Sequence, residues 1–81
     1  MKANRAFELI VSRGGLPLLA GEDRLDRIEV VSIDDGEVAL FWELPARTAT
    51  RLLRELRADL AGLSAEQFYD KWRGADVALE E

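Results

Sequence analysis

The segment 24–74 constrains the fold more than any other part of this chain. Two runs rich in apolar residues, 24–33 and 37–44, flank the sequence Asp34-Asp35-Gly36. Aspartate followed by glycine is typical of a tight turn in which glycine adopts the left-handed conformation. The pattern therefore predicts a β-hairpin with a three-residue turn and a bulge.

The length of the turn decides which side chains face each other across the hairpin. A two-residue turn would oppose the carboxylates of Asp34 and Glu37, whereas favourable cross-strand pairs contribute about 0.2–1 kcal/mol each. A three-residue turn avoids that repulsion and gives three favourable pairs, namely Val30–Leu40, Ile28–Trp42 and Arg27–Glu43.

Two helices are expected after the hairpin. Pro45 suits the first position of a helix over 45–61, in which leucines recur at intervals of three and four. Gly62 would end this helix. Ser64 and Gln67 match the capping box of a second helix, which would end at Gly74.

The whole order of elements indicates an α+β fold. Residues 6–12 alternate in part and predict a strand ahead of the hairpin. We expect one small domain over 1–81, in which a three-stranded antiparallel β-meander carries both helices on one face. Residues 13–23 would form an irregular loop, and 75–81 a tail or a short extra strand through Val77 and Leu79.

Apolar residues of the hairpin and helices define the predicted core. The hairpin residues expected to face the helices are Ile28, Val30, Val38, Leu40, Trp42 and Leu44. The aromatic residues Trp42, Phe68 and Trp72 are in phase with the buried faces of their elements. We therefore expect them to pack in the core rather than to line a ligand pocket.

The chain has no histidine and no cysteine, which excludes disulfides, zinc fingers and histidine-dependent catalytic triads. Lys2 and Lys71 lie in no serine–lysine motif. The carboxylates of Asp34, Asp35 and Glu37 depart from the spacing of an EF-hand loop, and turn formation accounts for both aspartates. We therefore expect no enzyme, no cofactor and no metal site.

The net charge of −5 favours solubility and disfavours a nucleic-acid partner. No apolar run approaches the ~20 residues that span a bilayer, and the N-terminal segment lacks a signal-peptide pattern. We expect a soluble cytoplasmic protein without membrane contact. Nine arginines against two lysines suggest a bacterial genome rich in G and C.

The second face of the predicted sheet is unusual because its centre is apolar. Monomeric proteins seldom leave a contiguous apolar patch uncovered. Either the loop 13–23 or the tail 75–81 folds over this face, or a protein partner or a second copy of the chain covers it. The candidate interface consists of Val31, Ile33, Phe41, Ile10, Glu29 and Glu43.

A row of arginines follows the first predicted helix. Guanidinium groups bind phosphate and carboxylate well, so the row is a candidate anion or nucleic-acid contact. No aromatic residue interleaves it to stack on bases. We favour a solvated helix face that pairs with Glu55, Asp59 and the hairpin carboxylates. The row consists of Arg47, Arg51, Arg54 and Arg57.

Three functions stay open on the sequence alone, and none of them is an enzyme. We favour a protein-interaction or accessory module that self-associates as a homodimer through the second sheet face. One alternative is a nucleic-acid-binding regulator that uses the arginine row. The other is an acidic inhibitor or immunity-type protein whose hairpin carboxylates meet a basic target.

Overall fold

The computed structural model describes residues 1–13 and 25–74 of the chain. The expected loop after Arg13 and the tail 75–81, with its considered strand, lie outside the described residues. The α+β class, with three antiparallel strands followed by two helices, is confirmed. The elements are α1 (Ala3–Ala6), β1 (Phe7–Arg13), β2 (Leu25–Ser32), β3 (Val38–Pro45), α2 (Ala46–Gly62) and α3 (Ala65–Trp72).

The strands form one antiparallel sheet in the order β1-β2-β3. β1 pairs with β2 along its whole length, from Phe7 opposite Ser32 to Arg13 opposite Asp26. The pairing of β2 with β3 confirms the predicted register over most of the hairpin. The confirmed pairs are Val30–Leu40, Ile28–Trp42 and Arg27–Glu43.

The hairpin turn is one residue longer than the sequence predicts. The backbone N–H of Ser32 donates to the carbonyl of Glu37 at 2.8 Å, and the N–H of Gly36 donates to the carbonyl of Ser32 at 2.8 Å. The turn therefore comprises residues 33–36, and Ile33 lies in it rather than on a strand. Gly36 has a φ of 74°, so the predicted left-handed glycine is confirmed.

A β-bulge brings the longer turn back to the predicted register. Val31 pairs with Val38, but the residue before it in β2, Val30, pairs with Leu40. Ala39 is the extra residue. Directly paired residues share a sheet face, so the bulge turns Val38 away from the helices. The prediction that Val38 is a core residue is wrong, and its side chain is 46% exposed.

The core lies between the sheet and the two longer helices. Ile28 and Val30 of β2 are fully buried, and Phe7, Leu9 and Val11 of β1 pack beside them. Burying each large apolar side chain contributes about 1.5–3 kcal/mol. The buried stripe of α2 is the one expected from the spacing of three and four, namely Ala49, Leu52, Leu53, Leu56 and Leu60.

Aromatic contacts fix α3 against the sheet. The rings of Trp42 and Trp72 meet edge to face, with centroids 6.0 Å apart, and those of Phe7 and Phe68 are 5.6 Å apart. Trp72 also donates from Nε1 to Oδ2 of Asp59 on α2 at 3.0 Å. The expected packing in the core is therefore confirmed for Phe68 and Trp72, and Trp42 packs against the core while partly buried.

Short-range hydrogen bonds fix the ends of the helices. Ser64 caps α3, and both bonds of the predicted capping box with Gln67 are present. The four-residue helix α1 is an element that the sequence did not predict. It is tied to the connection between α2 and α3, because the N–H of Ala3 donates to the carbonyl of Leu63 at 2.9 Å.

Two glycine substitutions test this account of the turn. Gly36→Ala should lower the free energy of unfolding by about 1–2 kcal/mol, because alanine is strained at a left-handed φ. Gly62→Ala is the matched control, since an added Cβ there meets nothing within 4 Å. In a helix this change should be neutral or stabilising by up to about 1 kcal/mol. Urea unfolding followed by circular dichroism measures both, and equal losses would contradict the turn assignment.

Candidate interaction surfaces

The sheet face that points away from α2 and α3 is called the open face. Its residues alternate along the strands with those of the core. Phe41 is 53% exposed and Ile10 is 40% exposed, whereas Val31 is only 6% exposed although it does not belong to the apolar cluster between the sheet and the helices. The open face consists of Glu8, Ile10, Ser12, Leu25, Arg27, Glu29, Val31, Val38, Phe41, Glu43 and Pro45.

The structure brings most of the predicted interface residues together on this face. Ile33 is the exception, because it lies in the turn, where it is 50% exposed. Val31 is on the face but is already buried within the chain, so it offers little surface for a contact. Val38 takes its place as an exposed apolar residue. The sequence missed Val38 because strict alternation carries no sign of the bulge.

Arg27 organises the centre of the open face. Its Nε donates to Oε2 of Glu29 at 2.8 Å, and its Nη1 donates to Oε2 of Glu43 at 3.1 Å. The guanidinium carbon lies 4.2 Å from the centroid of the Phe41 ring. The sequence predicted the pairing with Glu43 and missed the other two contacts. One cation thus offsets part of the charge of two carboxylates and covers one side of an exposed aromatic ring.

The electrostatics of this cluster keep Arg27 charged. The hydrogen bond to Glu29, with a smaller contribution from the bond to Glu43, raises the pKa of the Arg27 guanidinium above its ordinary value. An arginine is protonated at any physiological pH even without such partners. The cluster is therefore a permanent feature of the open face and does not respond to pH through Arg27.

A second surface follows α2, on the helix side of the fold. An open depression of about 500 Å³ is lined by Ala46, Arg47, Thr48, Thr50, Arg51 and Arg54. A neighbouring depression of about 540 Å³ is lined by Val11, Arg13, Thr50, Leu53, Arg54 and Arg57. Thr50 and Arg54 line both depressions, so the two adjoin each other, and together they are called the arginine groove.

The arginine row does not form the ion pairs that the sequence favoured. Within residues 1–13 and 25–74, no carboxylate makes an ion pair with any of the four arginines of the row. Asp59 instead binds Nζ of Lys71 at 2.6 Å and Nε1 of Trp72 at 3.0 Å. Glu29 and Glu43 of the hairpin bind Arg27. The row is therefore not neutralised by the part of the chain that the structure describes.

The turn carboxylates have a structural role. Oδ1 of Asp35 accepts a hydrogen bond from the backbone N–H of Glu37 at 3.0 Å, which is the turn chemistry expected from the sequence. No group of three or more acidic, histidine or cysteine side chains in the described ranges is placed to hold a metal ion. None of the described helices has the length and apolar character needed to cross a membrane.

Comparison with known proteins gives no family model, no curated protein and no solved structure that matches this chain. The function is therefore inferred from the two surfaces, the open face and the arginine groove.

The geometry of the Arg27 cluster predicts which of two substitutions, each removing one negative charge, destabilises the protein more. Glu29→Gln should lower the midpoint of urea unfolding more than Glu43→Gln, because Glu29 makes the shorter bond and its side chain is the more buried of the two. Both variants remove one negative charge, so each controls for the effect of net charge. The reverse order, or equal midpoints, would contradict the described geometry.

Proposed function

We propose that this protein is a non-enzymatic interaction module that forms a homodimer by placing two open faces against each other. One observation carries the proposal. Both longer helices lie on one side of the sheet, while Ile10, Val38 and Phe41 stay exposed on the other side. Exposed apolar patches of this kind are typical of association surfaces.

A second copy of the chain is the occupant that the charges and the size of the chain favour. An interface with two-fold symmetry uses one patch twice, which suits a domain of 81 residues with a small core. Repulsion between the glutamates of facing copies would oppose such a contact. Arg27 reduces that repulsion, because its guanidinium binds both Glu29 and Glu43 within each copy.

The dimensions of the sheet limit the strength of this association. Strands of seven or eight residues are about 25 Å long, and three of them side by side span about 14 Å. The outlines of two such faces add up to roughly 700 Å², which is below the ~1,200 Å² at which specific, stable interfaces begin. We therefore expect a weak dimer with a dissociation constant in the micromolar range or above.

Phe41→Glu should abolish the dimer and leave a folded monomer. The substitution adds a third carboxylate around the one guanidinium of Arg27, at the centre of the contact, where burying the excess negative charge costs several kcal/mol. Sedimentation equilibrium over a micromolar concentration series should give a mass rising towards twice 9.1 kDa for the unmodified protein. The variant should stay at 9.1 kDa, with an unchanged circular dichroism spectrum.

Tyr69→Glu is the matched control, since Tyr69 is a partly exposed aromatic residue of α3, away from the open face. This variant should dimerise as the unmodified protein does. A chain that remains monomeric at the highest concentration would contradict the proposal. Equal loss of association in both variants would also contradict it, because the contact would not then depend on the open face.

A further inference from the structure

We propose that the arginine groove binds the phosphate backbone of a double-stranded nucleic acid. This activity goes beyond the dimerisation described above and uses a different surface, on the helix side of the fold. The groove runs along α2 and reaches the end of β1, where Arg13 joins the four arginines of the helix.

The groove is positively charged, whereas the chain as a whole is negatively charged. Five arginines line its two depressions, and no acidic residue is among the lining residues. The whole chain nevertheless has a net charge of −5. Guanidinium groups form paired, charge-assisted hydrogen bonds with phosphate oxygens. The arginine groove, which has no carboxylate among its lining residues, therefore fits an anionic ligand.

Arg13 is held at its end of the groove by a buried acid. Its Nη1 donates to Oδ2 of Asp26 at 3.2 Å, and Asp26 is 1% exposed. A guanidinium has five N–H donors, and this bond uses one of them. The ion pair thus positions a cation opposite Arg54 and Arg57 and leaves it with donors for a ligand.

The length of the row favours a repeating anion over a single small one. Arg47 and Arg57 are ten residues apart on one helix, which corresponds to about 15 Å along its axis. Each strand of a duplex carries one phosphate per ~3.4 Å of the duplex axis, around which the strand winds. Arginines spread over this length can therefore reach several phosphates of a duplex at once, which a single small anion does not offer.

The absence of aromatic side chains from the groove favours a duplex over a single strand. Proteins that bind single strands stack bases on aromatic rings, and none lines either depression. Contacts to phosphate alone carry no sequence information. We therefore expect binding that depends on salt and not on base sequence.

Fluorescence anisotropy with a short labelled duplex of DNA, and with one of RNA, tests the proposal. The dissociation constant should rise roughly 100-fold between about 50 and 200 mM salt, because the logarithm of the association constant should fall against the logarithm of salt concentration with a slope near −3 to −4 for about four phosphate contacts. The double variant Arg51→Gln/Arg54→Gln should bind roughly tenfold more weakly or worse, with the slope reduced in size by about 2. Preference for one duplex identifies the nucleic acid.

The double variant Arg5→Gln/Arg73→Gln is the matched control, because it removes the same charge from exposed arginines outside the groove. It should bind as the unmodified protein does, and circular dichroism should show that all variants are folded. Three results would overturn the proposal: no binding of either duplex at low salt, equal loss in the control, or displacement of the duplex by polyglutamate at equal charge. The last result would assign the groove to an acidic protein.

Discussion

A β-sheet has two faces, and each face must either be covered or be in contact with water. The helices α2 and α3 cover only one face of this sheet. Side chains alternate along β2, so Ile28 and Val30 enter the core while Arg27 and Glu29 point away from it. This alternation leaves no freedom to hide the second face by a shift of register, since a slip of one residue would expose the core. The exposure of apolar residues on the open face is thus a consequence of the fold. Arg27 reduces that exposure locally, because its guanidinium covers one side of the Phe41 ring.

The charges of the chain are divided between the two surfaces. On the open face, Arg27 binds Glu29 and Glu43, so part of the acidic charge there is balanced within the chain. On α2 the arginines have no such partners in the described part of the chain. Asp59, one of the two acids of α2, is bound instead by Lys71 and Trp72 of α3. One surface is therefore suited to apolar association and the other to an anionic ligand.

Local patterns predicted the features that local chemistry decides. The left-handed Gly36 and the Ser64 capping box follow from a few adjacent residues, and both are present. The bulge at Ala39 inserts a residue without altering the apolar pattern, so the exposure of Val38 could not be predicted. The helix α1 is held by a contact with Leu63, far away in sequence, and propensity alone gives no sign of it. The partners of the arginines likewise depend on tertiary geometry.

The central claim, that a second copy covers the open face, is tested most directly by nuclear magnetic resonance on a mixture of isotope-labelled and unlabelled protein. An isotope-filtered experiment detects only contacts between copies. The account predicts such contacts from the Phe41 ring and from Ile10, with none from the arginines of α2. Contacts between copies that involve only other surfaces would contradict it, as would a concentrated sample that shows none at all.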